Sequence, residues 1–490
     1  MAEYQLIIIG GGLSGLAAGI RAARFGYKTL ILEQHGLPGG LNSYYLRQGR
    51  LFETGLHAMT NCADPRDKHA PLNRLFRQLR FSRKQFRFHE QIGSEIHFPG
   101  RSLRFTNDPA FLEEEVARSF PHRIDAFRRL KQQIAAYDPF AAEPWRSARS
   151  FLHRYLQDPE LEDMLLLPLM VYGNAEEQDM DLGQFVIMFR AVFEEGFFRP
   201  DTTMREFLSL LVDQYRDFGG ELRYRSPVAR ICTQDGRVSG VCLENGEELQ
   251  ADCILSTTGI PETIRLSGWS EDPENFSGRM SFMETISVLP RQKSVELGRD
   301  RTIIFYNTRS DLHYQRPSDF LDTSWGVICF PEHFSGLPAG DTGQIRVTNA
   351  ASYPLWKGLS AHNYAEEKLR WTRAATTASE EIIGNYQPSI VYQDSFTPVT
   401  IERYTRKAQG AVYGSSRKIK DGRTPWPNLF VAGTDQGYLG IVGAMLSGIT
   451  IVNQHILRLI SPLGERCTSR LWIPCSRSMM LLWSVPASAA

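Results

Sequence analysis

The chain has no excess of charge of either sign: Lys plus Arg and Asp plus Glu number 55 each over 490 residues. A balanced chain has no overall basic field, which excludes nucleic acid as an expected partner. Long apolar runs are missing too. No stretch reaches the ~18 continuous apolar residues of a membrane span, and the apolar run at 6–9 is too short for a signal-peptide core and has no cleavage pattern behind it. The seven cysteines, an odd number scattered along the chain, fit neither a disulfide framework nor zinc-ligand pairs, so no metal site is expected. Cys232, Cys242 and Cys253 fall on three successive predicted strands and read as small buried residues in a reducing compartment. The expected location is the cytoplasm.

What is present begins almost at once. In "LIIIGGGLSGLAAGIRAARFGYKTLILEQ", residues 6–34, four branched apolar residues break into glycines, after which Leu13, Leu16, Ala17, Ile20 and Ala23 recur at helical spacing. This predicts a buried strand turning sharply into a helix. Gly10, Gly12 and Gly15 fit G-x-G-x-x-G: the first makes the turn, the second admits a pyrophosphate, the third lets helix and strand pack closely. A second predicted strand at 29–32 delivers Glu33, where a carboxylate accepts hydrogen bonds from a ribose diol and repels a 2′-phosphate. A dinucleotide other than NADP is expected.

At 490 residues the chain exceeds one ordinary core. Residues 219–259 read as short strands with turns at Asp235-Gly236 and Asn245-Gly246, and "NLFVAGTDQGYLGIVGAMLSGITIVNQHIL" as strand, loop and helix. The expected division is a cofactor domain in three pieces, 1–95, 205–274 and 395–460, a second domain from 96–204 and 275–394, and a tail at 461–490. Within the first insertion "EIHFPGRSLRFTND" predicts a hairpin. The apolar stretch 182–198 reads equally as a buried core helix or as the wall of a substrate tunnel. Arg74, Arg77, Arg80, Arg83, Lys84 and Arg87 lie among aromatics and leucines at 72–89, a solvated face or, alternatively, a peripheral membrane contact. The tail has too few apolar residues to span a membrane, and reads as loose or as a weak surface anchor.

Further motifs separate the candidate cofactors. Gly39 and Gly40 offer another close backbone approach, and Asp435, two residues after Gly433, stands where a strand ends and can bind a ribityl hydroxyl. A helix starting near residues 440–443 aims N–H groups and a positive dipole at what lies beyond. Reduced flavin carries negative charge at N1 and the C2 carbonyl, so a helix N-terminus there favours FAD over NAD.

The glycine motif, Pro38-Gly39-Gly40, "FETGLHAM", "TPVTIERY", "GAVYG" and "NLFVAGTDQGYLGIVGAMLSG" together resemble the phytoene desaturase, carotenoid isomerase and retinol saturase group of FAD oxidoreductases, over most of residues 4–457. The resemblance implies an α/β fold, a Rossmann-like GR2-type FAD domain split in sequence with an inserted mixed α+β substrate domain. It also implies a long apolar isoprenoid substrate, desaturated, saturated or isomerised. Cofactor contacts are then expected at Gly10, Gly12, Leu13, Ser14, Gly15, Glu33, Gly39, Gly40, Leu41, Val228, Gly433, Asp435, Gly440, Ile441 and Gly443. His57 is the candidate proton-handling group, and Tyr438 a candidate flank of the flavin ring. Glu53 reads as structural. Monoamine oxidases attach flavin through a cysteine near the last motif; no cysteine lies between residues 428 and 448 here, so FAD is expected to be non-covalent. With no second G-x-G-x-x-G, the electron acceptor is external, a quinone or oxygen. Rival readings are an amine oxidase acting on a polar amine and a non-catalytic prenyl binder of the GDP dissociation inhibitor type, the latter disfavoured by the intact glycines, Glu33 and Asp435.

Overall fold

The structure, a computed structural model, describes residues 2–459 except 56, 63, 65, 69, 140, 142, 143 and 339. The tail expected at 461–490 lies outside them. Among the described residues two seven-stranded sheets carry the fold. In the first, Tyr4–Ile9 runs parallel between Thr29–Leu32 and the end of Glu248–Ser256, with Leu6 opposite both Thr29 and Cys253. Ile7 and Ile8 are both fully buried, which is why this strand reads as an unbroken apolar run. Leu429–Val431 joins beside Glu248–Ser256. Val228–Gln234 and Arg237–Leu243 form the expected meander; Asp235 and Gly236 both take positive φ, the type I′ pattern that matches strand twist. Of the three cysteines expected to be buried, only Cys253 is; Cys232 and Cys242 are half-exposed because they point away from the core that buries their strand neighbours Ile231 and Val241.

The second sheet runs Tyr392–Phe396, Phe282–Pro290, Thr342–Ala351, Leu321–Cys329, Ile303–Asn307, Ser94–Phe98, Arg101–Phe105, the last two being the expected hairpin. Its faces alternate with period two. Ile303 and Phe305 pack under the helices of residues 109–189, while Ile304 and Tyr306 pack with Trp371, Ala375 and Ile383 of the long helix Ala361–Ile383.

The apolar side chains of 182–197 pack into the first of these cores, Phe198 packs in the core beneath the first sheet, and no residue of 182–198 lines the main cavity, so the core reading holds and the tunnel-wall reading falls. The helix Leu182–Phe189 continues as a π-turn, Arg190–Glu194. Buried Arg190 crosses the core to donate to the carbonyls of Ile134 and Tyr137 at the end of Ile124–Ala136, supplying acceptor-rich backbone with a donor. Just past the π-turn, burial pushes the Glu195 carboxyl up to about 7, against the hydrogen bond from Asn61. A raised carboxylate contributes its full stability only below its unfolded value, and loses it as pH rises through the folded one. Glu195→Gln keeps an acceptor for Asn61; its melting temperature is expected to exceed wild type at about pH 8 and to match it only below the ordinary value of 4.5 in thermal melts.

Along 72–89 the apolar residues turn inward: Leu72, Leu75, Phe76, Leu79, Phe81 and Phe86 are buried, leaving Arg77, Arg80, Lys84 and Arg87 exposed. This face has cations but no exposed large apolar side chain to enter a bilayer. The helical run 440–459 is long and apolar enough to cross a membrane by length and composition, yet more than half of its apolar stretch is buried within the protein, where it packs against Leu13–Ala23.

Candidate functional site

The two sheets meet over a cavity of ≈ 1170 Å³. At one end the first strand stops at Gly10, whose φ of +103° turns the chain into the helix Leu13–Ala23. A Cβ on Gly15 would sit 2.0 Å from the Gly10 carbonyl oxygen, so this glycine serves helix–strand contact. A Cβ on Gly12 would meet nothing nearer than 3.9 Å and would stand in the cavity. Gly39, at φ +112°, donates to the Gly11 carbonyl at 2.9 Å, bringing the Gly39–Gly40 backbone against Gly12. Glu33 lines the cavity, accepts from Gly11 N–H at 2.7 Å and His35 N–H at 2.8 Å, and is pushed up by burial. Each oxygen keeps a further lone pair for a ligand hydroxyl. Glu33→Ala removes charge-assisted bonds worth roughly 1.5–3 kcal/mol. FAD affinity, read by fluorescence titration, is expected to fall about ten-fold or more.

The helix Gly440–Ile451, packed beside Leu13–Ala23, begins at uncapped Leu439, and Gly440 and Ile441 line the cavity. The helix Leu13–Ala23 is likewise without a side-chain cap, and Leu13 and Ser14 line. Two uncapped helix N-termini thus border one cavity, leaving backbone N–H groups and two positive dipole ends for an anionic ligand.

Gly10, Gly12, Leu13, Ser14, Glu33, Gly39, Gly40, Leu41, Val228, Gly433, Gly440 and Ile441 all line this cavity, as does His57. Four expected residues do not. Gly15 packs behind the turn, as its role in the motif requires. Asp435 is fully buried beneath the wall: its oxygens accept from Ile260 N–H at 2.6 Å and Ser415 N–H at 2.7 Å. Burial alone would raise its pKa, but Lys407 and Lys418 hold it below the usual range. It ties the last strand to the helix Ile260–Ser267, and the lining residue is its neighbour Thr434. Tyr438 and Gly443 pack against each other off the wall. Extended Leu439 stands on the cavity side, and neighbouring side chains of extended chain point oppositely. Glu53 is structural as expected, pairing with Arg199 and accepting from Met204 N–H at 2.7 Å.

Beyond the glycine cradle the lining turns apolar, with Ala58, Val171, Tyr172, Phe282, Val327, Val412, Tyr413 and Leu439. Its polar cluster is His57, Glu284 and Thr348. His57 Nε2 lies 2.9 Å from Glu284 Oε1, and buried Arg346 donates through Nε to the same oxygen at 2.6 Å. Burial would raise Glu284, but His57 and Arg346 bring it down to about 2. Sequence reading missed Glu284, Arg346 and Thr348. The one available signal was a lone acid inside the apolar strand Phe282–Pro290; that Glu284 faces Thr348 follows only from the strand register.

An open Gly12, a second glycine pair against it, Glu33 at the strand end and two uncapped helices fit a dinucleotide whose far end enters the apolar chamber. Fold and site together define an FAD-dependent oxidoreductase. The chain belongs to the flavin containing amine oxidoreductase family, whose model matches residues 13–267, more than half of it. It is similar to a chloroplastic prolycopene isomerase of Daucus carota, 24% identical over 90% of this chain and 74% of that protein. It is also similar to an all-trans-retinol 13,14-reductase of Danio rerio, 21% identical over 93% and 87%. Among solved structures, the cyclohexylamine oxidase of Brevibacterium oxydans shares the fold with a TM-score of 0.60, at 14% identity, over 93% of this chain and 98% of that one.

Proposed function

We propose that this FAD oxidoreductase acts on C–C or C=C bonds of a long apolar isoprenoid, carotenoid precursor or retinoid-like, by desaturation, saturation or isomerisation. The observation that carries the reading is the apolar chamber continuous with the cofactor cradle. The carboxylate in this chamber, Glu284, is already paired with Arg346 and offers an ammonium substrate no free counter-charge. The relatives described above are named for prolycopene and all-trans-retinol, both polyenes. Bound FAD supplies a hydride acceptor in its oxidised form and a hydride donor in its reduced form. The protein holds it non-covalently through the Gly12 and Gly39–Gly40 backbone, Glu33 and the two helix N-termini, and its walls keep water from the reacting carbon. Residues 1–95, 205–274 and 395–460 form the cofactor domain in this reading and the insertions form the chamber. Electrons leave to an external quinone or oxygen.

The substrate is drawn from a lipid surface at the cavity's rim rather than at 72–89. Lining residues Leu46 and Tyr404 are 59% and 48% exposed. Arg47, Lys368, Arg403 and Arg406 line beside them and complement anionic headgroups. Vesicle binding is therefore expected to weaken with salt.

The deciding experiment offers the FAD-loaded protein soluble amines and liposome-embedded polyenes anaerobically, with the flavin first oxidised and then reduced. Conversion of a polyene supports the reading. Rapid flavin reduction by an amine, with no polyene converted in either redox state, overturns it.

A further inference from the structure

The polar cluster in the apolar chamber allows its hydrogens to be placed by elimination. Arg346, 1% exposed, donates from Nε to Glu284 Oε1, and Thr348 Oγ1 donates to Glu284 Oε2 at 2.5 Å. Guanidinium stays cationic, and the ionised carboxylate it holds is an acceptor only. The hydrogen in the 2.9 Å contact between His57 and Glu284 therefore sits on His57 Nε2. Both contacts of the ring use Nε2, none among the described residues uses Nδ1, and the ring lines the cavity. We propose that Glu284, held by Arg346, is a positioning residue that locks His57 as the Nε2–H tautomer, and that Nδ1 is the atom exchanging a proton with a polyene carbon.

The proposal rests on the substrate reading above and adds the proton's path to it. In desaturation the N–H bond forms at Nδ1 as a C–H bond breaks. The electron pair of that C–H bond enters the new C=C bond, and bound FAD would supply the acceptor for the hydride lost from the neighbouring carbon. For saturation, reduced FAD would supply the hydride and His57 Nδ1–H the proton. A second-partner carboxylate that fixes tautomer and ring orientation makes the base ready without moving. In this proposal Glu284 acts through His57.

The test reads His57 by ¹⁵N NMR in the full-length, FAD-loaded chain labelled in histidine, with assignment by loss of the signal in His57→Gln. In its neutral imidazole, wild type is expected to show a protonated Nε2 and an unprotonated Nδ1. In Glu284→Gln the carboxamide can donate or accept, so the lock is lost and a mixed or Nδ1–H tautomer appears. Since Glu284→Gln leaves buried Arg346 unpaired, the charge-neutral double variant Glu284→Gln/Arg346→Met is measured beside it. On a polyene converted by wild type, kcat is expected to fall about ten-fold or more in either variant, with KM within about two-fold. An Nδ1–H tautomer in wild type, or an Nε2–H tautomer unchanged in both variants, overturns the proposal. If wild type converts no polyene the substrate reading fails, and the tautomer result still decides whether Glu284 positions His57.

Discussion

Gly12→Val is expected to give folded, colourless protein. The substitution sits where the chain leaves the first strand, yet a Cβ at Gly12 meets no atom within 3.9 Å and the backbone there has φ −74°, which any residue adopts. The isopropyl group therefore occupies cavity and displaces ligand rather than protein. It stands where the Gly39–Gly40 backbone and the N-terminus of Leu13–Ala23 converge, so the cofactor's diphosphate cannot approach the N–H groups. Loss of FAD affinity by at least about 100-fold, about 2.8 kcal/mol, is the expected result. Gly15→Ala is the contrast: its Cβ would lie 2.0 Å from the Gly10 carbonyl, so this smaller change should lower the melting temperature itself. Flavin absorbance after gel filtration, with circular dichroism for folding, separates the two. Normal FAD content in Gly12→Val would show the cradle to be misplaced.

Arg346→Met is expected to be the most destabilising single change in the second sheet. It leaves Glu284 buried with only His57 and Thr348 as polar partners, and uncompensated buried charge costs about 3–5 kcal/mol. The double variant Glu284→Gln/Arg346→Met removes both charges and should recover much of that loss. The pH dependence has a definite sign. Glu284 is held at about 2 in the fold, below the ordinary carboxylate value of 4.5. Its stabilisation is therefore complete above 4.5 and is lost as pH falls through about 2. The difference in melting temperature between wild type and Arg346→Met should be largest at neutral pH and shrink toward acid as the variant's Glu284 protonates. A constant difference across that range would mean that packing, not charge, sets the cost.

The sequence by itself determined the cofactor end of this protein. Strand, turn, helix and Glu33 are contiguous within residues 6–33, so backbone rules acting over a few residues set their geometry. The same holds for the hairpin at 94–105 and for the Asp235-Gly236 turn, where local φ requirements select the residues. Failures came wherever direction, not identity, mattered. Asp435 and Tyr438 lie in the motif as expected, but which neighbour faces the cavity depends on the turn made by Gly437 and Gly440, at φ +103° and +71°. Local pattern could not rank the two readings of 182–198 either, because an apolar helix looks alike beside a core and beside a tunnel. Only tertiary structure assembled the chamber. His57, Glu284 and Arg346 are separated by 227 and 62 residues in the chain. They meet because the chain following the strand Arg50–Glu53 brings His57 over two antiparallel strands of the second sheet, whose register puts Glu284 opposite Thr348. Side chains brought together by strand pairing over such distances leave no periodic signal, and the charge that makes Glu284 useful is set by the partners it meets only after folding.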